Sequence, residues 1–306
     1  RPDLMGQHWI VGNTGGAFAT PLRYPGGKGR LGPWIANVIR SNDITGGWYI
    51  EPYAGGAGAA LFLLTHGHVG HIVINDIDPV LHSFWRAATE QSRDLANMVL
   101  TTPVTIETWL RQKEIFENHT KFDFVAVGFA CFFLNRTNRS GILSAGVIGG
   151  KAQAGSWKLD ARYNVRVLSQ RILQVGRLAP HITVLGMDAL DLLTNVAPSF
   201  PKKTLVYLDP PYYGKGSQLY RNFYGPDDHL AISQYVRRAD VPIIVTYDAC
   251  EEILVLYEGM RGSKFSLYYS THTARPRATE VLFYNNLDIS VEPSMTRGHV
   301  LPSNCS

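Results

Sequence analysis

The sequence predicts an α/β fold in which a sheet of about seven strands is interrupted by a mainly helical insertion. Short apolar runs, which are typical of buried strands, alternate with helical patterns towards both ends of the chain. From about Pro79 to Asn138 the apolar residues follow helical spacing, and no strand pattern returns until about Ile182. Of the 306 residues, 45% are hydrophobic and 18% charged, which is enough apolar material for such a core.

These patterns divide the chain into an α/β body and an insertion. The body takes residues 21–80 and 181–290, and the insertion takes residues 81–180. Residues 1–20 show no periodicity and many glycines, so we expect a flexible N-terminal lead there and a C-terminal tail over 291–306.

Composition argues against several classes of protein. No apolar run is long enough to span a bilayer, and the polar N-terminus lacks the pattern of a signal peptide. The cysteines, Cys131, Cys250 and Cys305, are scattered and do not have the spacing of metal ligands. We therefore expect a cytoplasmic protein with no membrane partner, no metal and no disulfide framework.

Positive charge is concentrated in the insertion. The whole chain carries only +4, but Asp160 is the only acid between Arg136 and Arg177. The eight cations there are Arg136, Arg139, Lys151, Lys158, Arg162, Arg166, Arg171 and Arg177, so the segment carries +7 and the remainder −3. Such a basic segment is typical of a nucleic-acid contact, and a solvated basic face is the alternative. Residues 140–156 within it are predicted to form a mobile loop or a small hairpin.

The first element of the body follows the segment Pro21-Leu-Arg-Tyr-Pro-Gly-Gly-Lys28. A helix is predicted from about Gly29 to Asn42. Gly26 and Gly27 would let the backbone approach a ligand closely, and Lys28 near the helix start would attract a carboxylate. A simple Gly-Gly turn with a surface lysine is the alternative.

A glycine-rich turn, Glu51-Pro-Tyr-Ala-Gly-Gly-Ala-Gly58, follows a strand that starts at Trp48, and a helix runs on to about Leu64. The turn could hold a nucleotide, but it does not match the G-x-G-x-x-G pattern of dinucleotide-binding proteins. The Glu51 carboxylate would repel phosphates and would suit a cationic or hydroxyl-bearing cofactor.

The second strand, within residues 71–78, ends in two acids about 20 residues after the glycine turn. Asp76 stands where an acid commonly holds ribose hydroxyls. Asp78, which precedes Pro79, is predicted to cap the next helix.

The α/β pattern resumes after the insertion. Strands are predicted at 181–185, 205–208, 243–246, 265–269 and 280–284, and helices at 188–195 and 227–238. Residues 213–226 form a polar aromatic loop that could close over a bound base, and residues 271–277 form a basic loop.

The segment Asp209-Pro-Pro-Tyr212 directly follows a buried strand. The two prolines end the strand and supply no N–H donors, so the Asp209 carboxylate and the Pro210 carbonyl can face the crevice at the carboxyl end of the sheet. Two acceptors beside an aromatic ring suit a planar base with an exocyclic amino group. The alternative is a rigid surface turn with a helix-capping aspartate.

The ordered set of motifs resembles the Dam-like DNA adenine-N6 methyltransferases over roughly Pro21 to Asn286. Three matches carry the resemblance: Tyr24-Pro-Gly-Gly-Lys28, the Glu51–Gly58 turn and Asp209-Pro-Pro-Tyr212. Phe133-Leu-Asn-Arg-Thr-Asn-Arg-Ser-Gly141 also looks like the family's segment leading into its DNA-recognition hairpin. The resemblance implies a Rossmann-like methyltransferase sheet, the cofactor S-adenosylmethionine, duplex DNA as substrate and a target-recognition role for the insertion.

The resemblance also assigns roles to matching residues. The methylation site would comprise Asp209, Pro210, Pro211 and Tyr212, with the ring of Tyr212 stacking on a flipped-out adenine. The cofactor site would comprise Tyr24, Gly26, Gly27, Lys28, Glu51, Tyr53, Ala54, Gly55, Gly56, Asp76, Asp188 and Asp209; Asp188 could instead be an N-cap. The DNA contacts would comprise Asn135, Arg136, Asn138, Arg139, Lys151, Lys158 and Arg162. Arg136 and Arg139 could read bases or hold phosphates.

One difference from the family concerns target choice. GATC-reading members usually place an aromatic residue before Asn-Gly in the hairpin, whereas this chain has Arg139-Ser-Gly-Ile142. The competing interpretations are an RNA adenine or protein glutamine methyltransferase, a dinucleotide-dependent oxidoreductase and a catalytically silent DNA-binding module. A cognate restriction enzyme, and a bacterial or phage protein associated with the nucleoid, also fit the family.

Overall fold

The computed structural model describes residues 20–23, 28–214, 223–267, 278–290 and 293. Seven strands form one mixed sheet in the order β3-β2-β1-β4-β5-β7-β6. Their bounds are β1 Trp48–Glu51, β2 His71–Asn75, β3 Ile182–Leu185, β4 Thr204–Leu208, β5 Ile243–Asp248, β6 Gly262–Leu267 and β7 Ala278–Asn285. The predicted α/β fold with a Rossmann-like sheet is confirmed.

The direction of the strands creates a single edge for a site. Strands β1 to β5 are parallel, and β7 runs antiparallel between β5 and β6. Ile50 of β1 pairs with Val73 of β2 on one side and with Val206 of β4 on the other. The chain therefore reverses its strand order at β1, and ligands of open α/β sheets bind at the carboxyl ends beside such a reversal.

Helices cover the sheet and build the insertion. Their bounds are α1 Gly32–Ser41, α2 Gly58–Thr65, α3 Pro79–Glu90, α4 Ser92–Thr101, α5 Ile106–Glu117, α6 Phe124–Thr137, α7 Val165–Leu178, α8 Ala189–Asp191, α9 Pro226–Arg238 and α10 Glu251–Leu256. A 3₁₀ turn, Lys28–Leu31, leads into α1, and a π-helical turn, Leu192–Val196, continues α8. In the described part of the chain, no helix is long and apolar enough to cross a membrane.

The insertion shares its core with one face of the sheet. Phe84 of α3 stacks on Phe132 of α6 with ring centroids 6.3 Å apart. At Gly128 of α6 a Cβ atom would lie 2.9 Å from the carbonyl oxygen of Ser83, so only glycine allows these two helices to approach so closely. The buried cluster continues from these helices to Tyr49 of β1. Helices α3 to α7 are therefore packed against the body; the boundaries predicted at 80/81 and 180/181 stay a prediction.

The loop or small hairpin predicted at 140–156 is a loop in the structure, and one helix was not predicted. Residues 140–156 form a succession of turns with one isolated antiparallel bridge between Asn138 and Val147. Helix α10 was not predicted, because its segment of six residues is too short to show a helical spacing of apolar residues. The N-terminal lead before residue 20, most of the loop 213–226, the loop 271–277 and most of the tail lie outside the described residues.

Candidate active site

Four acids predicted to belong to the site lie at the carboxyl ends of neighbouring parallel strands. Glu51 is the last residue of β1, Asp76 and Asp209 directly follow β2 and β4, and Asp188 follows β3 by three residues. Because the strands are parallel and in register, these carboxyl groups share one edge of the sheet. The structure thus brings together acids that are up to 158 residues apart in the sequence, between Glu51 and Asp209.

Asp209 is held by two neighbouring strands and by a lysine. Its Oδ1 accepts a hydrogen bond from Oγ1 of Thr246 at 3.3 Å, and Thr246 is in turn 2.8 Å from the hydroxyl of Tyr207. The Lys28 ammonium lies 3.5 Å from the same Oδ1. Burial raises the pKa of Asp209 to about 6; Lys28 opposes that rise and Glu280 adds to it. The side chain stays 25% exposed, so a ligand can reach the carboxylate.

Lys28 and Tyr212 meet at a residue that sequence reasoning missed. The Lys28 ammonium is 3% exposed and lies 3.5 Å from Oε1 of Glu280, which also accepts a hydrogen bond from the hydroxyl of Tyr212 at 3.2 Å. The structure places the Lys28 ammonium between two carboxylates, and its predicted contact with the cofactor stays a prediction. The sequence did offer one signal for Glu280, which is a single acid at the start of an apolar strand. A buried acid needs a polar partner, so such a residue is a candidate for a site.

Pro210 and Pro211 are buried directly after β4 and fix the step from the strand to Tyr212. The Lys28 ammonium lies 5.6 Å from the centroid of the Tyr212 ring. The first and last residues of the predicted methylation segment, Asp209 and Tyr212, therefore both lie near the Lys28 ammonium, and Tyr212 is half-buried.

The glycine turn is tied to the neighbouring strands by its backbone. The N–H of Gly55 donates to Oδ2 of Asp76 at 3.0 Å, and the indole N–H of Trp85 donates to the Gly55 carbonyl at 2.9 Å. Gly55 has a φ of 49°, and the carbonyl of Gly56 accepts from the hydroxyl of Thr20. The turn predicted to contact the cofactor, including Ala54, is thus rigid and faces Asp76.

Asp76 and Glu51 are protonated more readily than ordinary acids. Burial raises the pKa of Asp76 to about 6, against hydrogen bonds from the N–H groups of Asp78 and Gly55. Burial also raises the pKa of Glu51 to about 8, although its Oε1 accepts from the hydroxyl of Tyr49 at 2.9 Å and from the N–H of Ala60 at 3.1 Å. Burial therefore favours the neutral forms of both acids, and a cationic ligand nearby would favour their charged forms.

Asn75 is a second residue that the sequence analysis missed. Its fully buried amide donates to the carbonyls of Pro52 and Met187, both at 2.9 Å, and accepts from the N–H of Met187 at 3.0 Å. It joins the ends of β1, β2 and β3 and so fixes the acids that follow them.

Tyr53 and Asp188 border the same edge. The hydroxyls of Tyr53 and Tyr224 are 2.9 Å apart, and their rings meet edge to face. Burial raises the pKa of Tyr224 to about 12, with Asp188 among the acids that add to the rise. Asp188 also caps α8 by accepting from the N–H of Asp191 at 3.0 Å, which agrees with the alternative prediction that Asp188 is an N-cap. Tyr24, Gly26 and Gly27 lie outside the described residues.

The residues predicted to contact DNA divide into a buried and an exposed group. Asn135 hydrogen-bonds Arg23 and Gly141, and Asn138 accepts from the indole of Trp109 at 2.7 Å. Arg136 is only 8% exposed and donates to the Pro21 carbonyl from Nε at 2.8 Å. These three side chains use their polar groups to fold the chain, because burying them without partners would be costly.

The exposed group is Arg139, Lys151, Lys158 and Arg162. Trp157 lies next to Lys158 and is 61% exposed, an aromatic residue of the basic segment that the sequence analysis did not single out. Exposed cations and an exposed aromatic ring on one basic segment suit a nucleic acid. Within the described ranges, no group of three or more His, Cys, Asp or Glu residues could hold a metal ion.

Comparison with known proteins identifies the family. A search of curated proteins gave no match. A family model described as D12 class N6 adenine-specific DNA methyltransferase matches residues 24–273, a range that contains the glycine turn, the insertion and Asp209-Pro-Pro-Tyr212. The match does not favour an RNA adenine or protein glutamine methyltransferase or an oxidoreductase. The chain belongs to the D12 class of N6 adenine-specific DNA methyltransferases and is an adenine-N6 DNA methyltransferase.

Proposed function

We propose that the protein methylates N6 of an adenine that is flipped out of duplex DNA, with S-adenosylmethionine as methyl donor and Asp209 as the acceptor of the N6 hydrogen bond. The observation that carries the proposal is the partly open Asp209 carboxylate, held at the carboxyl end of β4 by Lys28 and Thr246. A base cannot reach such a crevice while it is stacked in the duplex, so it must be extruded first.

The chemistry follows from the weakness of the nucleophile. The N6 lone pair of adenine is delocalised into the ring, and hydrogen bonds from N6 to Asp209 and to the Pro210 carbonyl favour a more tetrahedral nitrogen. That geometry exposes the lone pair, and the ring of Tyr212 holds the base by stacking. The lone pair would form the N6–methyl bond as the bond between the methyl group and the sulfonium sulfur breaks, so that the donor would leave as a neutral thioether. The methylated nitrogen would be positively charged until it releases a proton to solvent, and the Asp209 carboxylate would stabilise that charge. The protein thus contributes positioning and electrostatics.

The edge of the sheet fits S-adenosylmethionine by its chemistry. The molecule supplies a methyl group on a positively charged sulfonium, and it also carries an ammonium group and two ribose hydroxyls. Glu51 and Asp76 would hold the cationic and hydroxyl groups, and the turn from Tyr53 to Gly56 would pack against them. Asp188 would lie near the adenine. A cation would lower the raised pKa values of these acids and so stabilise their charged forms.

The insertion would hold the duplex. Arg139, Lys151, Lys158 and Arg162 are exposed and would contact phosphates or bases, and Trp157 would stack on a base. Residues 21–80 and 181–290 would then form the catalytic domain, and residues 81–180 the target-recognition domain. A cytoplasmic, nucleoid-associated location and a cognate restriction enzyme stay predictions of the sequence.

The test is methyl transfer from labelled S-adenosylmethionine to unmethylated genomic DNA, with nucleoside analysis and modification-sensitive sequencing of the product. We expect N6-methyladenine in a recurring sequence. Asp209→Ala should lose transfer while keeping its affinity for duplex DNA, because the substitution leaves the insertion untouched. Product formation by Asp209→Ala at the wild-type rate would contradict the role of Asp209. Transfer to RNA or protein in place of DNA would contradict the proposed substrate.

A further inference from the structure

Glu280 reaches the methylation site because its strand runs in the opposite direction. It is the third residue of β7, which is antiparallel to β5, so the start of β7 lies at the edge where the parallel strands end. Its register partner on β5 is Asp248, which is the last residue of that strand. The Glu280 side chain is 1% exposed, so water does not satisfy its carboxylate.

A single oxygen of Glu280 contacts two residues of the site. Its Oε1 lies 3.5 Å from the Lys28 ammonium and accepts from the hydroxyl of Tyr212 at 3.2 Å. The same ammonium lies 3.5 Å from Oδ1 of Asp209. Lys28 is thus shared between two carboxylates, and the far end of the Tyr212 side chain is held by one of them.

Sharing the cation has a consequence for Asp209. A carboxylate that has a buried ammonium to itself is a weaker acceptor for a further hydrogen bond, because the cation already attracts its lone pairs. A second carboxylate on the same ammonium reduces that attraction. Burying a second acid would be costly unless it had a cation and a hydrogen-bond donor nearby, and Glu280 forms an ion pair with Lys28 and accepts a hydrogen bond from Tyr212.

We propose that Glu280 is a positioning residue of the methylation site, which fixes the Tyr212 ring for stacking and shares Lys28 with Asp209, so that Asp209 can accept from the adenine amino group. This inference rests on the proposed function of Asp209 and Tyr212 and adds a residue to it. Glu280 acts through these two side chains and need not touch the base.

Several charged and titratable groups face this pair of carboxylates. They are Lys28 before α1, Tyr49 and Glu51 of β1, Tyr207 of β4, Tyr212 after β4, and Tyr247 and Asp248 of β5. Lys28 lowers the pKa of Asp209 and Glu280 raises it. Removing only the charge of Glu280 should therefore lower the pKa of Asp209, because Lys28 then acts on Asp209 alone.

The deciding variant is Glu280→Gln, which keeps the size of the side chain and an oxygen for Tyr212. Its control is Glu258→Gln, which removes an exposed acid elsewhere. The pKa of Asp209 is measured by ¹³C NMR titration of labelled carboxyl groups, and the single-turnover methylation rate is measured against pH. We expect a lower pKa for Asp209 and an acid limb moved to lower pH in Glu280→Gln, with a rate at neutral pH that falls roughly tenfold.

Tyr212→Phe tests the second half of the proposal. It keeps the ring and removes the hydroxyl that Glu280 holds, so methylation should slow while the affinity for S-adenosylmethionine stays at the wild-type value. A Tyr212→Phe rate equal to wild type would overturn the positioning of the ring. If Glu280→Gln does not fold, Glu280→Asp, which keeps the charge but has a shorter reach, should slow transfer in a folded protein; an unchanged rate would overturn the proposal.

The NMR titration separates this inference from the proposed function. An Asp209 pKa that is the same in Glu280→Gln and in Glu258→Gln would overturn the sharing of Lys28, whatever the activity. Wild-type protein that forms no N6-methyladenine in the same assay would overturn the proposed function, and with it the catalytic purpose of Glu280.

Discussion

The carboxyl groups at the sheet edge are tuned by burial more than by their hydrogen bonds. Burial raises the pKa of Glu51 to about 8 and that of Asp209 to about 6, even though each accepts hydrogen bonds that favour its charged form. Such groups hold protons that the unfolded chain would release, and a cationic ligand would release the same protons on binding. The edge is therefore less stable when it is charged and empty than when a cation neutralises it.

Glu51 provides a pH test of this arrangement at the scale of one residue. Its folded pKa of about 8 exceeds the ordinary value of 4.5, so its contribution to stability is full below pH 4.5 and is lost as pH rises through 8. Glu51→Gln should remove this loss. We expect the free energy of unfolding of the variant, measured by urea denaturation without cofactor, to exceed that of wild type by on the order of 2 kcal/mol more at pH 8 than at pH 6.

The control for Glu51→Gln is again Glu258→Gln, which should follow the wild-type pH dependence. Asp76 and Asp209, whose pKa values burial raises to about 6, are present in both proteins, so the difference between the two curves reports the loss of the Glu51 carboxyl group. Parallel curves for wild type and Glu51→Gln between pH 6 and pH 8 would show that Glu51 is not buried in its neutral form. Glu51→Gln should also bind S-adenosylmethionine more weakly.

At the scale of elements, the sequence predicted single strands and the acids that follow them, and it missed residues whose contacts come from strands far apart in the chain. The short apolar runs at β1, β2, β4 and β5 identified the strands, because buried parallel strands have a continuous apolar pattern. Asp76 and Asp209 were found because each directly follows such a strand. Glu280 and Asn75 were not found, because their contacts depend on which strands lie side by side. The order of strands in a sheet cannot be predicted from the sequence of a single strand.

The insertion shows the same limit. Its cations were visible in the sequence as a segment with a charge of +7. The sequence could not distinguish the exposed cations from Arg136, which is buried and donates a hydrogen bond to the Pro21 carbonyl. Periodicity placed Asn135 and Arg136 at the end of a helix, and only the packing of α6 against residues 20–23 shows that they hold that segment.

The start of α3 gives a test at this scale. Asp78 accepts from the N–H of Val80 at 2.9 Å and caps the helix that links β2 to the insertion, as the sequence predicted. Asp78→Ala should lower the free energy of unfolding by about 1 kcal/mol, measured by urea denaturation. Asp94→Ala removes an exposed acid from the first turn of α4 and should cost clearly less. Equal losses in the two variants would mean that the cap contributes little to stability.

At the scale of the whole molecule, the insertion holds the segment that leads to Lys28. Arg136 donates to the Pro21 carbonyl, and Arg171 donates to the Thr20 carbonyl at 3.1 Å. The Asn135 side chain accepts from the N–H of Arg23 and donates to its carbonyl. Residues of α6 and α7 thus fix the chain just before the lysine that contacts Asp209. The part that would grip DNA and the part that would methylate it are joined by direct hydrogen bonds.

The grip on DNA is tested by its dependence on salt. If Arg139, Lys151, Lys158 and Arg162 contact phosphates, each contact releases counterions, and the logarithm of affinity falls with the logarithm of salt concentration by about 0.9 per contact. Replacing all four with alanine should weaken binding to duplex DNA and reduce this slope by up to about 4, measured by fluorescence anisotropy over a salt series. The matched control replaces four exposed cations outside the basic segment, namely Lys121, Lys202, Lys203 and Arg238.

The control changes the net charge of the protein by the same amount, so it accounts for long-range attraction. A basic segment that holds DNA by specific contacts predicts a lower slope only when the cations of that segment are replaced. Equal slopes for the two quadruple variants would mean that overall charge, and not this surface, attracts the duplex. Because Arg136 is buried against the Pro21 carbonyl, it is left intact in both variants, and each protein keeps the hydrogen bonds that join the insertion to the body.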